Sequence, residues 1–278
     1  MKQVRFLTLI IISTVATTGH AQSVEDTFLF ADKLYETSEY SNAIEVYKRI
    51  LFFDEQSIYG PKVYRKIADC LYETDEFTEA ANYYELAYFV EEDDTIRNDI
   101  ILQKASCYLL IKDYSSTQEE LFSLSKNLTE EQALSGKFYE AMLYFALEDF
   151  NQSEVLFKEI TTDTLAVHNL FIHNDKVSKI SPRKAKILSI IFPGLGQFYA
   201  GDIKNGLNSM LLTSGLFYLG VRLAINTSFL DAAVSVMPWF QRYYTGGFNK
   251  AEAIATAKKQ QKRYAVFTDL LTEVEQGQ

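Results

Sequence analysis

The sequence predicts an all-α protein: an α-solenoid of about four helix-turn-helix repeats, followed by a hydrophobic membrane-associated helical hairpin and a C-terminal helix. Three observations lead there. Gly and Pro are scarce, 12 and 4 in 278 residues, while hydrophobic residues make up 47% and aromatics 14%, a balance that suits long helices better than turn-rich sheets. A pattern of small and large apolar residues recurs about every 37 residues through the first half of the chain. After Thr164 the pattern breaks, and from Ile187 long apolar runs follow.

The chain opens with Lys2 and Arg5, an apolar run from Phe6 to Val15, and small residues ending at Ala21. This is the anatomy of a secretory signal peptide, expected over residues 1–21 with cleavage after Ala21. The residue after the cut would be Gln22 and not Cys, which disfavours a lipid-anchored lipoprotein. An uncleaved anchor is the alternative, although the run is shorter than the ~20 residues of a spanning helix.

Residues 22–165 form the expected repeat domain. Ala68, Leu71, Phe77, Ala80, Tyr84 and Ala87 define its pattern. Moving back 37 residues gives Ala31, Leu34, Tyr40, Ala43, Tyr47 and Ile50; moving forward 37 gives Ala105, Tyr108, Tyr114, Thr117, Leu121 and Leu124. A further 36 gives Ala141, Tyr144, Phe150, Ser153, Phe157 and Ile160. At spacings of three and four these residues share helix faces, so each unit reads as two facing helices. Small residues let the backbones approach, and aromatics fill the space between units. The polar segments 36–39 and 73–76 are expected to supply the turn and the N-cap of each second helix.

The arrangement resembles the tetratricopeptide repeat, with Tyr64, Ile67, Ala68, Leu71, Ala80, Tyr84 and Ala87 at that family's signature positions. The match weakens in units three and four, where Lys104 and Glu140 stand at a position that is usually large and apolar, and no unit carries the family's closing Pro. The resemblance implies a groove that binds a protein. The residues expected to build or line it are Tyr64, Ala68, Leu71, Ala80 and Tyr84 in the second unit, Ala105 and Tyr108 in the third, and Ala141 and Tyr144 in the fourth.

Charge is segregated. From Gln22 to Leu165 there are 30 acidic and 12 basic residues, a net of −18, whereas residues 166–278 hold 7 acidic and 13 basic, a net of +6. The acidic half disfavours nucleic acid and anionic lipid, and no nucleic-acid partner is expected. The two cysteines, Cys70 and Cys107, fall at equivalent places in units two and three. They are expected as buried free thiols, with a disulfide between neighbouring first helices as the alternative.

Residues 166–186 read as a basic linker ending in Ser181-Pro182-Arg183-Lys184-Ala185-Lys186. Residues 187–226 read as the hairpin: Ile187 to Phe192 is apolar, Pro193-Gly194-Leu195-Gly196-Gln197-Phe198-Tyr199 follows, Gly201-Asp202 makes a turn, and Gly206 to Ala224 is long enough to cross a hydrocarbon core of ~30 Å. This string resembles a family of bacterial membrane proteins of unknown function with S-P-x-x-A and P-G-x-G-Q-x-Y motifs, and the two-transmembrane-segment domain with its G-x-G-x-F-Y-x-G-D core. The resemblance implies a membrane-associated domain whose motif residues are Pro193, Gly194, Gly196, Gln197, Tyr199, Gly201 and Asp202. In physical terms the glycines permit close approach or sharp turns, Pro193 starts or kinks a helix, and Gln197 satisfies backbone groups freed there. A soluble apolar hairpin is the alternative.

Residues 227–278 read as amphipathic and basic helices: an apolar stretch from Phe229 to Phe240 with the lone Trp239, then Arg242 to Gly247, which suit a membrane interface and a capped helix end equally, and a final helix from about Lys250 to Val274. Its basic centre, Lys258 to Arg263, suits anionic lipid or a solvated face.

No catalytic constellation stands out, and no cofactor or metal is expected. His168 and His173 are read as exposed in the linker, Glu91 to Asp94 as an acidic inter-helix link without calcium-loop spacing, and Gly194-x-Gly196 lacks the strand, third Gly and Lys of a phosphate loop. The functional expectation is a non-catalytic scaffold of the bacterial cell envelope, exported, with periplasm-facing repeats that bind an envelope protein or peptide and a C-terminal part bound to membrane lipid. The alternatives are an assembly subunit of a membrane complex with the repeats as spacer, and an enzyme with an unrecognised site. Lys179 to Lys186 and the basic residues after Trp239 run against the positive-inside rule for an exported two-span hairpin, a rule that bends for long translocated domains.

Overall fold

The structure is a computed structural model that describes residues 23–54 and 58–277. The expected signal peptide lies outside the described residues. The described chain is all-α, with no strand among the described residues. It divides into two compact units, one up to Asp149 and one from Phe150 onward.

The first unit holds seven described helices: α1 (Val24–Glu36), α2 (Tyr40–Phe53), α3 (Gly60–Glu73), α4 (Phe77–Val90), α5 (Asp94–Leu110), α6 (Tyr114–Ser123) and α7 (Glu130–Ala146). From α1 to α6 each helix packs on the next, and α5 also packs on α7. The starts of α1, α5 and α7 are set by side-chain caps. The Ser23 hydroxyl accepts the Asp26 N–H, the Asp93 carboxylate accepts the Thr95 and Ile96 N–H groups, and Thr129 and Gln132 form a reciprocal capping box. The acidic link at Glu91 to Asp94 therefore serves as the start of α5.

The turns between paired helices repeat in the backbone itself. Ser38, Asp75, Lys112 and Glu148 all have φ between 61° and 64°, at spacings of 37, 37 and 36 residues. Each turn carries the same two bonds: at Asp75 the N–H donates to the Tyr72 carbonyl, and at Glu76 the N–H donates to the Leu71 carbonyl. The left-handed residue and these bonds satisfy the last carbonyls of the first helix. Glu39 and Glu76, in the segments expected to supply the N-caps, make no side-chain cap bond, whereas Asp113 accepts the Ser116 N–H. The helix-ending turn, more than a side-chain cap, thus fixes where α2 and α4 begin.

The core of this unit is built from the repeat pattern: Ala31, Ala43, Tyr47, Ala68, Ala80 and Tyr84 are all buried. Tyr47 donates to Asp32 at 2.5 Å and Tyr84 to Asp69 at 2.7 Å, the same pair 37 residues apart. In the third unit Leu121 and Ser106 stand at those places and the pair is gone.

The second unit holds α8 (Phe150–Ile160), α9 (Thr164–Ser178), α10 (Pro182–Ile191), α11 (Leu195–Tyr199), α12 (Ile203–Asn226), α13 (Phe229–Ser235) and α14 (Met237–Gly277). Helix α14 packs against every other helix of the unit. Residues 166–186 are helical over most of their length, because Asp163 caps α9 and Ser181-Pro182 starts α10. Helix α10 packs chiefly on α14 and α11, and α12 on α11, α13 and α14. Helix α14 runs unbroken through Gly246-Gly247. The second helix of the expected fourth repeat, α8, packs on α9 and α14 and falls in this unit, which begins at Phe150.

Candidate functional site

Most of the residues expected at the repeat groove belong to the core. Ala68, Leu71, Ala80, Tyr84, Ala105 and Ala141 are buried and have no surface to offer a partner; Tyr64, Tyr108 and Tyr144 are half-buried. Their pattern reads as the means of stacking the helices. Cys70 and Cys107 are both buried and unpaired, and burial pushes each thiol up to about 12.

Lys104, the departure from the apolar pattern, is 5% exposed. It lies against Glu85 of α4 and 2.8 Å from Glu120 of α6. Burial alone would lower the ammonium, but the hydrogen bonds to Glu120 and Glu85 outweigh it and raise its pKa. Glu120 is pushed up by its own burial against the pull of Lys104. A charged trio spanning three helices thus occupies a place where a large apolar side chain was expected.

Across the first helices α3, α5 and α7 lies a polar cavity of about 430 Å³ with Arg65, Asp99, Gln103, Glu131 and Tyr139 on its walls. Gln132 closes one side, donating to the Thr95 carbonyl and to Asp99 at 2.8 and 2.7 Å. The buried Gln103 Oε1 has no hydrogen-bond partner.

In the second unit the S-P-x-x-A and P-G-x-G-Q-x-Y strings meet. The Ser181 hydroxyl caps α10, and the Ser181 N–H donates to the Tyr199 hydroxyl, which itself donates to the Lys179 carbonyl. The Lys184 ammonium sits over the Tyr199 ring, 5.3 Å from its centre. Ala185 is fully buried, and a methyl on Gly196 would collide with its carbonyl oxygen. The Ser189 hydroxyl accepts the Gly196 N–H and donates to Gln197 Oε1, both at 2.9 Å, while Gln197 Nε2 donates to the Gly247 carbonyl at 2.8 Å. Ser189 and Gln197 are buried, so this chain joins α10, α11 and α14 in a low-dielectric interior, where each bond is strong and each orphaned partner costly. Gln197 therefore satisfies a carbonyl 50 residues away, and not the local backbone groups expected of it.

The remaining motif residues shape turns. Gly194 has φ +96° and its α-carbon lies against Gly206 of α12, where any Cβ would meet the Gly206 carbonyl oxygen at 2.5 Å. Pro193 thus precedes the left-handed N-cap of α11 and starts no helix itself. At the other end, Gly201 with φ +79° closes α11 by donating to the Phe198 carbonyl, and the Asp202 N–H donates to Gln197. Lys258 of α14 adds a bond to the Ala200 carbonyl at 2.6 Å. Asp202 then caps α12, and hydrogen bonds from the Asn205 backbone N–H and side-chain amide hold its carboxyl below the ordinary carboxylate range.

Sequence reasoning missed Ser189, Gly206, Gly247 and Lys258, which complete this joint from outside the contiguous motif. Gly206 receives the Phe198 ring, and the small residues Gly247, Ala251 and Ala255, four apart on α14, let it approach α10 and α11. His168, expected exposed in a linker, lies on α9 with Nδ1 2.7 Å from Glu154. His173 is exposed, also on α9.

Helix α12 spans 24 residues and is, among the described residues, the one helix long and apolar enough to cross a membrane; only 6% of its most apolar stretch is buried. Leu211, Phe217, Tyr218 and Ile225 on it, with Phe229, Leu230 and Val234 of α13, form an exposed apolar surface. Among the described residues no three His, Cys, Asp or Glu side chains gather as a metal site. Compared with known proteins, the chain matches no family model, no curated protein and no solved structure.

Proposed function

We propose that the chain is a non-catalytic scaffold of the bacterial cell envelope, with an acidic, tetratricopeptide-like solenoid that binds a protein partner and a C-terminal unit bound to a membrane. The observation that carries the reading is α12: a helix of spanning length whose apolar face is left uncovered, while its start is held by Asp202, Gly194 and Gly206. A soluble protein of this size rarely leaves so extended an apolar surface to water.

The repeat reading is supported by the left-handed turn that recurs at 37, 37 and 36 residues and by the repeated Tyr–Asp pairs. Partner binding is supported by the polar cavity across α3, α5 and α7, where the unpartnered Gln103 Oε1 offers an acceptor to a peptide N–H. The net charge of the repeat segment favours a basic or amphipathic peptide.

The test uses the full chain with a C-terminal tag, made in a bacterial host. The expected result is a mature protein lacking residues 1–21 that stays in the membrane pellet after an alkaline carbonate wash and whose repeats are digested by protease added to spheroplasts. Release by carbonate would overturn membrane insertion. Protection of the repeats would overturn the exported orientation.

A further inference from the structure

Between the first half of α12 and the start of α14 lies a second cavity, of about 360 Å³. Its walls are Asn205, Ser209 and Thr213 from α12 and Arg242 and Lys250 from α14, and Gly247 comes so near α12 that a methyl there would stand 2.7 Å from Ser209 Oγ. Arg242 and Lys250 form no ion pair among the described residues. Lys250 also feels the Asp202 carboxylate, but that group is already held by Asn205. Thr213 is 1% exposed, lines the cavity, and its hydroxyl has no hydrogen-bond partner; the Ser209 hydroxyl is likewise buried and unpartnered. Two cations and two idle hydroxyls around one cavity offer donors to an anion with several acceptor oxygens.

One turn further along the same two helices the character inverts. A cleft of about 320 Å³ opens there, walled by Leu216, Gly220 and Ala224 of α12, Val236 and Phe240 beyond them, and Ala232 of α13. These walls are almost wholly apolar. A pocket flanked by two cations, with a wholly separate apolar cleft beyond it along one helix pair, matches a molecule with a phosphate at one end and a hydrocarbon chain at the other.

We propose that the α12–α14 cleft is a binding site for an acidic phospholipid, its phosphate between Arg242 and Lys250 within reach of Thr213 and Ser209, and one acyl chain lying in the apolar cleft. The inference rests on the membrane-bound reading of this unit. It adds that one lipid class is selected there, by a site distinct from the basic stretch at Lys258 to Arg263.

The chain's single tryptophan, Trp239, belongs to α14, falls between Val236 and Arg242 in the sequence and is half exposed, so its quenching reads lipid at this end of the helix. The full chain is reconstituted into phosphatidylcholine vesicles containing a few mole per cent of phosphatidylglycerol with brominated chains, and quenching of Trp239 is measured. The expected result is quenching about tenfold above that lipid's share of the bilayer, since each basic residue near the surface favours an acidic lipid severalfold. Arg242→Gln with Lys250→Gln returns quenching to the lipid's share, and Thr213→Val, which keeps the shape, lowers the excess severalfold.

An excess that survives the double substitution would overturn the site. An excess abolished by millimolar inorganic phosphate, but not by chloride of equal ionic strength, would assign the pocket to a soluble anion and overturn the lipid. Absence of quenching even by fully brominated phosphatidylcholine would instead overturn the membrane-bound reading itself, so the two failures are distinguishable.

Discussion

Replacing Gly196 by alanine tests whether the joint between α10, α11 and α14 holds the second unit together. The added methyl would collide with the Ala185 carbonyl oxygen and stand 2.5 Å from Ser189 Oγ and 2.7 Å from the Ala185 carbonyl carbon. Two of the three atoms belong to backbone inside a helix and cannot swing aside, so α10 and α11 must separate by an ångström or more. Overpacking of this kind costs about 1–3 kcal/mol. Separation also breaks the Gly196–Ser189 bond and pulls Ser189 from Gln197, adding roughly 1 kcal/mol for each. The total is about 3–5 kcal/mol, or a fall in Tm of roughly 11–18 °C for a unit of this size.

Trp239 is the only tryptophan and belongs to this unit, so a thermal melt followed by its fluorescence in detergent reads the unit alone. Gly215→Ala is the control. A methyl there meets nothing within 4 Å, and the gain in helix propensity should leave the melt unchanged or slightly higher. Equal melting temperatures for the two variants would refute the claim that Gly196 is fixed by close approach.

Further outcomes follow from the first unit. Lys104→Met should cost about 2–3 kcal/mol at neutral pH in denaturant titration, less than a fully buried pair because Glu85 is 40% exposed and screened by solvent. The cost should shrink as pH falls toward the ordinary glutamate range, because Glu120, already raised by burial, then folds in its neutral form; a pH-independent cost would remove Glu120 from the account. Tyr84→Phe should cost about 1–3 kcal/mol by orphaning Asp69. Burial raises the Asp69 pKa, so stability is lost as pH rises through its folded value, and the Tyr84→Phe penalty should be larger at pH 7 than at pH 4; the reverse trend would contradict this assignment. Cys70 and Cys107, raised to about 12, should react with a thiol reagent at pH 8 only at the rate of unfolding, and rapid labelling of the native chain would show that they are not buried.

The helix faces were legible because their cause is local: small and large residues three and four apart report a helix face directly, and the buried Ala31, Ala68, Ala105 and Ala141 follow that spacing. The turn was legible in place but not in kind. Ser38, Asp75, Lys112 and Glu148 adopt a left-handed conformation usually given to Gly or Asn, and none of the four is glycine or asparagine. Lys104 could be seen as a departure from the pattern, yet only the fold brings Glu85 and Glu120, 19 and 16 residues away, to its ammonium.

Gly246-Gly247 has a role that local preference does not report. Paired glycines signal a turn when only local preference counts. Gly247, however, lies within α14, where its missing side chain makes room for Ser209 and its carbonyl receives Gln197. A Ser-Pro pair at 181–182 similarly closes a linker in the sequence and opens a helix in the fold.

What the motif residues of the second unit accomplish bears on where its function lies. Gly194, Gly196, Gln197, Tyr199, Gly201 and Asp202 are each committed to a close approach, a helix end or an inter-helix hydrogen bond. Such residues explain how α11 seats between α10, α12 and α14, and leave little chemistry to address another molecule. Arg242, Lys250 and Thr213 stand in the opposite position: among the described residues the two exposed cations form no ion pair and the buried hydroxyl has no partner, so they contribute nothing evident to folding. A buried unpaired hydroxyl costs about 1–3 kcal/mol, so Thr213→Val should stabilise the lipid-free protein. The same substitution should weaken lipid selection at the α12–α14 cleft. Opposite signs in the two measurements would separate a residue kept for binding from one kept for packing; matching losses in both would return Thr213 to the fold.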